Sequence, residues 1–147
     1  MTEFPNFIDG RFEAGRGDSF ANRFPTSGEV IGEVRCADRN QVDAAVGAAR
    51  AALKGPWGRM SVPERIGLLR KLADGINARF DEFLAAEIRD TGKPKSLASH
   101  IDIPRGAANF NVFADQVSTL GTESFKMPTP DGTGALNYAV RTPRGVI

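Results

Sequence analysis

Apolar residues alternate with polar ones near the start of the chain and recur at helical spacing through its middle. Asn6-Phe7-Ile8-Asp9-Gly10-Arg11-Phe12 places an Asp-Gly pair between two alternating runs, which predicts a hairpin. Thr26-Ser27-Gly28-Glu29 is a second turn and leads into a strand, Val30 to Cys36. The first helix is expected from Asp38, because Asp38 and Gln41 have the spacing of a capping box. Val42, Ala45, Val46, Ala49, Ala52 and Leu53 then form one apolar stripe, which Gly55-Pro56 stops. Ser61 and Glu64 repeat the capping box with Pro63 in the tolerated first turn, and Ile66, Leu69, Leu72, Ala73, Ile76 and Phe80 follow. A third helix runs from Asp81 to about Thr91. Gly92 suits its left-handed end and Pro94 blocks its continuation.

A fourth helix is expected from Leu97 to Val117, bent or weakened where Pro104 removes a backbone donor. Residues 121–134 are rich in Gly, Pro, Thr and Asp and read as a loop. Ala135 to Val140 reads as a strand, and Arg141 to Ile147 as the start of another. The sequence then stops, which suggests an N-terminal piece of a longer protein.

Arg105 changes the picture of a plain scaffold. A guanidinium on the inward side of a mostly apolar helix is costly to bury unless an anion meets it. Two partners stay open on the residues alone. Asp102, three positions earlier, is at salt-bridge spacing and is slightly favoured by that spacing. A substrate carboxylate is the other.

The bulk numbers narrow the field. A chain of 147 residues with 41% apolar and 25% charged residues is ordinary globular protein with enough length for one core. The 19 basic and 18 acidic side chains give a net charge of +1, no reason to expect nucleic acid or an anionic membrane as partner. No apolar run is long enough to span a bilayer and the N-terminus carries no secretion pattern, so a cytoplasmic protein is expected. The single cysteine, Cys36, excludes an internal disulfide and reads as a small buried filler of its strand. The single histidine, His100, excludes a multi-histidine metal cluster and reads as a helix-surface residue. Gly132-Thr133-Gly134 lacks the third glycine and the helix of a phosphate loop and reads as turn chemistry. Lys93 reads as a cation near a helix end. Asp90, an acid in a last helical turn, is unfavourable with the dipole and points to a local partner.

Phe7-Ile8-Asp9-Gly10-Arg11-Phe12, Pro25-Thr26-Ser27-Gly28-Glu29-Val30-Ile31, Val42-Asp43-Ala44-Ala45, Pro56-Trp57, Glu64-Arg65, Asp90-Thr91-Gly92-Lys93-Pro94 and Pro143-Arg144-Gly145-Val146-Ile147 occur in order along the chain. Taken together they resemble the NAD(P)-dependent aldehyde dehydrogenase superfamily over essentially the whole length. The run Gly92 to Ala98 followed by Asp102 to Phe110 is most similar to the branch acting on muconic semialdehydes, the 2-hydroxy form first and the 2-amino form as the near alternative.

The resemblance implies an α/β fold: the leading β-hairpins and helices of a Rossmann-like cofactor domain over residues 1–120, the loop 121–134, then an oligomerisation strand and the start of the next cofactor-domain strand over 135–147. It implies NAD as cofactor, a carboxylated aldehyde as substrate and a homodimer or homotetramer. It implies oxidation through a cysteine thiohemiacetal, hydride transfer and hydrolysis of a thioester. The catalytic and cofactor residues would lie beyond Ile147, with none in this chain, and Cys36 does not align with the nucleophile. Arg105 would clasp the substrate carboxylate, with Asn109 one turn on as a second substrate contact. Asp90, with groups near Asn22 and Arg23, would hold a monovalent cation, although Asn22 departs from the hydroxyl residue seen in some relatives. A non-enzymatic truncated paralogue serving as an interaction module is the competing reading.

Overall fold

The computed structural model describes residues 2–147. Five short strands come first: β1 (Thr2–Phe4), β2 (Asn6–Ile8), β3 (Arg11–Glu13), β4 (Ser19–Arg23) and β5 (Val30–Arg35). β2 and β3 form the expected hairpin, pairing Phe7 with Phe12. Its two turn residues, Asp9 (φ 48°) and Gly10 (φ 78°), both lie in the left-handed region that a two-residue hairpin turn demands. β5 is the centre of a three-stranded sheet, parallel to β1 on one side and antiparallel to β4 on the other.

The helices follow as α1 (Arg39–Ala52), α2 (Pro56–Arg59), α3 (Val62–Ala78), α4 (Phe80–Thr91) and α5 (Lys95–Leu97). A π-helical turn (Ala98–Asp102) then leads into α6 (Ile103–Thr119). Both capping boxes are present, Asp38 with Gln41 and Ser61 with Glu64. The Ser61 hydroxyl and backbone N–H both donate to Glu64 and hold its carboxyl below the usual range. Gly92 (φ 69°) ends α4 in the left-handed conformation, and its N–H bonds the Ile88 carbonyl.

Small residues let α3 and α6 approach closely. Ala73 on α3 and Ala107 and Ala114 on α6 are all buried. Leu84, Ala98 and Ile103 form a buried apolar cluster, flanked by Ile76, Phe80 and Ile88.

The chain departs from its sequence pattern in two places near its end. Residues 121–134, expected as loop, contain β6 (Ser124–Met127), which pairs antiparallel with β7 (Ala135–Tyr138). The two prolines, Gly132 and Gly134 lie in the turn between the two strands, and Gly121 precedes β6. Residues 141–147, expected to begin another strand, lie in no strand. A strand needs a ladder partner, and none among the described residues is offered there.

Apolar faces are left open. Leu72 (51% exposed), Val112 (54%) and Phe113 (61%) sit in water on helices whose opposite sides are packed. Stripes of this kind are normally covered by a sheet or another helix. Purified residues 1–147 are therefore expected to aggregate or to bind a hydrophobic dye. A soluble monomer with a sharp cooperative melt and no dye binding would contradict this.

Candidate functional site

The site is built around the stop of α4. Gly92 turns the chain, and a Cβ there would crowd the Thr26 hydroxyl at 3.1 Å, so the turn is also pressed against the β4–β5 connection. The turn aims Lys93 back across the helix end. Its Nζ donates to Asp102 Oδ2 at 2.8 Å and to Glu87 Oε1 at 3.2 Å. The bond to Asp102 and then the bond to Glu87 raise the Lys93 pKa above its ordinary value. Lys93 was expected to serve the helix dipole; instead it joins α4 to the π-helical turn.

That turn has a local cause. The Ile103 N–H reaches back five residues to the Ala98 carbonyl, and Pro104 follows at the start of α6. Proline has no N–H to give and its ring crowds the carbonyl four residues back, so the wider turn relieves both problems. The expected bend at Pro104 is thus realised as one extra residue in the preceding turn.

Arg105 and Asn109 come next, one turn apart on α6, and both are exposed. The expected inward position of Arg105 is corrected: the buried stripe is Ile103, Ala107 and Ala114, and Arg105 lies on the opposite side of the helix. The salt bridge to Asp102 is not formed; that carboxylate accepts from Lys93 instead. Among the described residues Arg105 makes no salt bridge and no side-chain hydrogen bond.

The second group of expected site residues falls on β4 and α4. Asn22 Nδ2 donates to Asp90 Oδ1 at 2.8 Å, which supplies the local partner expected for Asp90. Arg23 turns away and donates to the Gly28 carbonyl at 2.9 Å. Arg89 donates to the Ile31 carbonyl at 3.1 Å, so α4 is tied to the sheet at two neighbouring points. Asn22 and Asp90 line an open, largely apolar groove of about 620 Å³ together with Phe4, Phe83 and Ile103. Among the described residues no three His, Cys, Asp or Glu side chains converge on a point where a metal ion could sit.

Cys36 is exposed rather than buried, just past the end of β5, where its backbone bonds Gly17 and Asp18. His100 is exposed on the π-helical turn, as expected, with Nδ1 at 2.8 Å from the Ser96 carbonyl. The Gly132-Thr133-Gly134 segment is a turn knotted by Asp131, whose carboxylate accepts from the Thr133 hydroxyl at 2.9 Å. The sequence reading missed the joint role of Glu87, Lys93 and Asp102. No local spacing could reveal it, because the three residues lie on different elements.

Known proteins show the same combination of sequence and shape. A profile of the aldehyde dehydrogenase family matches residues 12–147. The 2-hydroxymuconic semialdehyde dehydrogenase of Pseudomonas sp. (strain CF600) is 64% identical over 100% of this chain and 30% of its own length. The 2-aminomuconic 6-semialdehyde dehydrogenase of Pseudomonas sp. is 46% identical over the same shares. The structure of the NAD+ complex of an aldehyde dehydrogenase from Bacillus cereus superposes with a TM-score of 0.83 at 33% identity, covering 93% of this chain and 28% of that one. The chain therefore spans about a third of the length of the relatives it matches and has the N-terminal part of their fold. It belongs to the aldehyde dehydrogenase family.

Proposed function

We propose that, in an enzyme of the relatives' full length, this chain forms part of an NAD-dependent dehydrogenase for a carboxylated semialdehyde, with 2-hydroxymuconate semialdehyde as substrate. The observation that carries the reading is the exposed Arg105 guanidinium, which no carboxylate among the described residues neutralises. Its planar fork of donors suits a carboxylate better than any neutral aldehyde tail. Asn109, exposed on the same face, is proposed as a second contact. The relatives named for muconic semialdehydes support the same substrate class, and the 2-amino substrate is the neighbouring alternative.

The Gly132-Thr133-Gly134 turn does not have the form of a phosphate cradle. Its glycine pair at 132 and 134 closes a turn around the Asp131 carboxylate, which would repel a phosphate, and no helix N-terminus follows. The NAD contacts, the nucleophile and its base are proposed to lie in the part of the enzyme that this chain does not span. The β6–β7 hairpin, with Phe125 and Leu136 exposed, is proposed to join copies of the subunit into a homodimer or homotetramer. No helix of the described residues is long and apolar enough to cross a membrane, and a cytoplasmic enzyme is proposed.

The test is a comparison of NADH formation by the full-length enzyme on 2-hydroxymuconate semialdehyde, its 2-amino counterpart and an uncharged aliphatic aldehyde. A clear preference in kcat/KM for the carboxylated pair is expected. Equal or better turnover of the uncharged aldehyde would overturn the substrate class.

A further inference from the structure

We infer that Lys93 is a positioning residue for substrate choice: by holding Asp102 it keeps that acid away from Arg105 and leaves the guanidinium free for the substrate. The inference rests on the substrate reading of Arg105 given above. Asp102 and Arg105 are three residues apart, and Asp102 and Ile103 both have right-handed helical dihedrals. Side chains at that spacing meet on a helix surface, and an Asp-Arg pair there is attractive. The Asp102 carboxylate points instead to Lys93 Nζ at 2.8 Å, with its side chain only 26% exposed.

Two acids, Glu87 and Asp102, share the one ammonium. Without it they would repel each other, and Asp102 would turn to the nearest cation on its own helix, Arg105. A guanidinium already paired in this way binds a substrate carboxylate less well, because the internal acid must first be displaced. The selective force therefore comes from charge occupancy, not from contact between Lys93 and the substrate.

The test uses the full-length enzyme, with KM and kcat measured on 2-hydroxymuconate semialdehyde and on an uncharged aliphatic aldehyde. Lys93→Met should raise KM for the carboxylated substrate by about twofold to fivefold, the scale of an exposed helical ion pair, with kcat little changed. The uncharged aldehyde should not respond. Asp102→Asn, which removes the competitor, should keep the preference, and Lys93→Met combined with Asp102→Asn should recover it. A role of Lys93 in folding alone would give equal losses on both substrates and no recovery in the double variant, and either result overturns the inference. Lys93→Gln serves if Lys93→Met does not fold: its amide can still donate to Asp102 but carries no charge, so a smaller rise in KM for the carboxylated substrate alone is expected. Arg105→Met, run in parallel, separates the two levels. If it leaves the preference intact, the reading of Arg105 fails, and the inference with it. If it abolishes the preference while Lys93→Met has no effect, only the inference fails.

Discussion

Arg105→Met is expected to lower kcat/KM for the carboxylated semialdehyde by roughly 30-fold to several thousand-fold in the full-length enzyme, with far smaller losses on an uncharged aldehyde. Removing one partner of a desolvated, hydrogen-bonded charge pair typically costs about 2–5 kcal/mol, and that range sets the factor. Methionine keeps much of the length and apolar stem of arginine, so the change isolates the guanidinium. On this chain Arg105 is exposed and touches no acid, so its loss orphans no internal carboxylate. The penalty should therefore appear on the substrate and not on stability. Paired kinetics on the two aldehydes check it. Equal losses on both would make Arg105 a structural residue, and unchanged kinetics would make it a bystander.

The second large effect is expected far from that helix. Gln41 is the one polar side chain among the described residues that is fully buried, at 2% exposure. Its Nε2 donates to the Ala14 carbonyl at 2.9 Å, and its Oε1 accepts from the Arg16 N–H at 2.9 Å and the Asp38 N–H at 3.3 Å. One amide thus pins the segment after β3 to the start of α1. The fit around that segment is close, since a Cβ on Gly15 would run into the backbone carbonyls of Arg35 and Cys36. Gln41→Leu keeps the bulk but removes the partner of one carbonyl and two N–H groups, all partly buried, each bond worth about 0.5–1.5 kcal/mol, so a loss of about 2–4 kcal/mol is expected. Amide hydrogen exchange over residues 13–17 of the full-length enzyme should accelerate by roughly 30-fold to 1,000-fold. Protection within about threefold of wild type would show that water or a shifted backbone replaces the amide.

What could be read from the sequence was local. Asp38 with Gln41, Ser61 with Glu64 and the Gly92 stop each act within one helical turn, so spacing alone located them. The Asp9-Gly10 hairpin was legible for the same reason. The Gln41 capping role was visible, but its bonds to Ala14 and Arg16 were not, because they cross 27 and 25 residues of chain. Spacing ties Lys93 only to its own helix end, because its partner Asp102 lies nine residues on, at the far end of the π-helical turn. Cys36 was read as buried because strand residues usually are, yet it falls just past the end of its strand. β6 was hidden by a composition that describes its flanking turn and not its ladder. The outward face of Arg105 follows from the ordinary helical repeat of Ile103, Ala107 and Ala114, with which it is out of phase; what that repeat cannot register is the extra residue before Pro104.

That extra residue also makes chain length a variable. In a regular helix each residue advances the side-chain direction by roughly 100°. Removing one residue from Ala98–Asp102 would close the π-helical turn into an ordinary one and rotate everything upstream by about that angle relative to Arg105. Lys93 would then meet a different side of the helix. A relative that differs here by a single insertion or deletion could thus keep every charged residue and still have a differently aimed guanidinium. Alignments across Ala98–Asp102 need to allow a one-residue gap before positions on either side are compared.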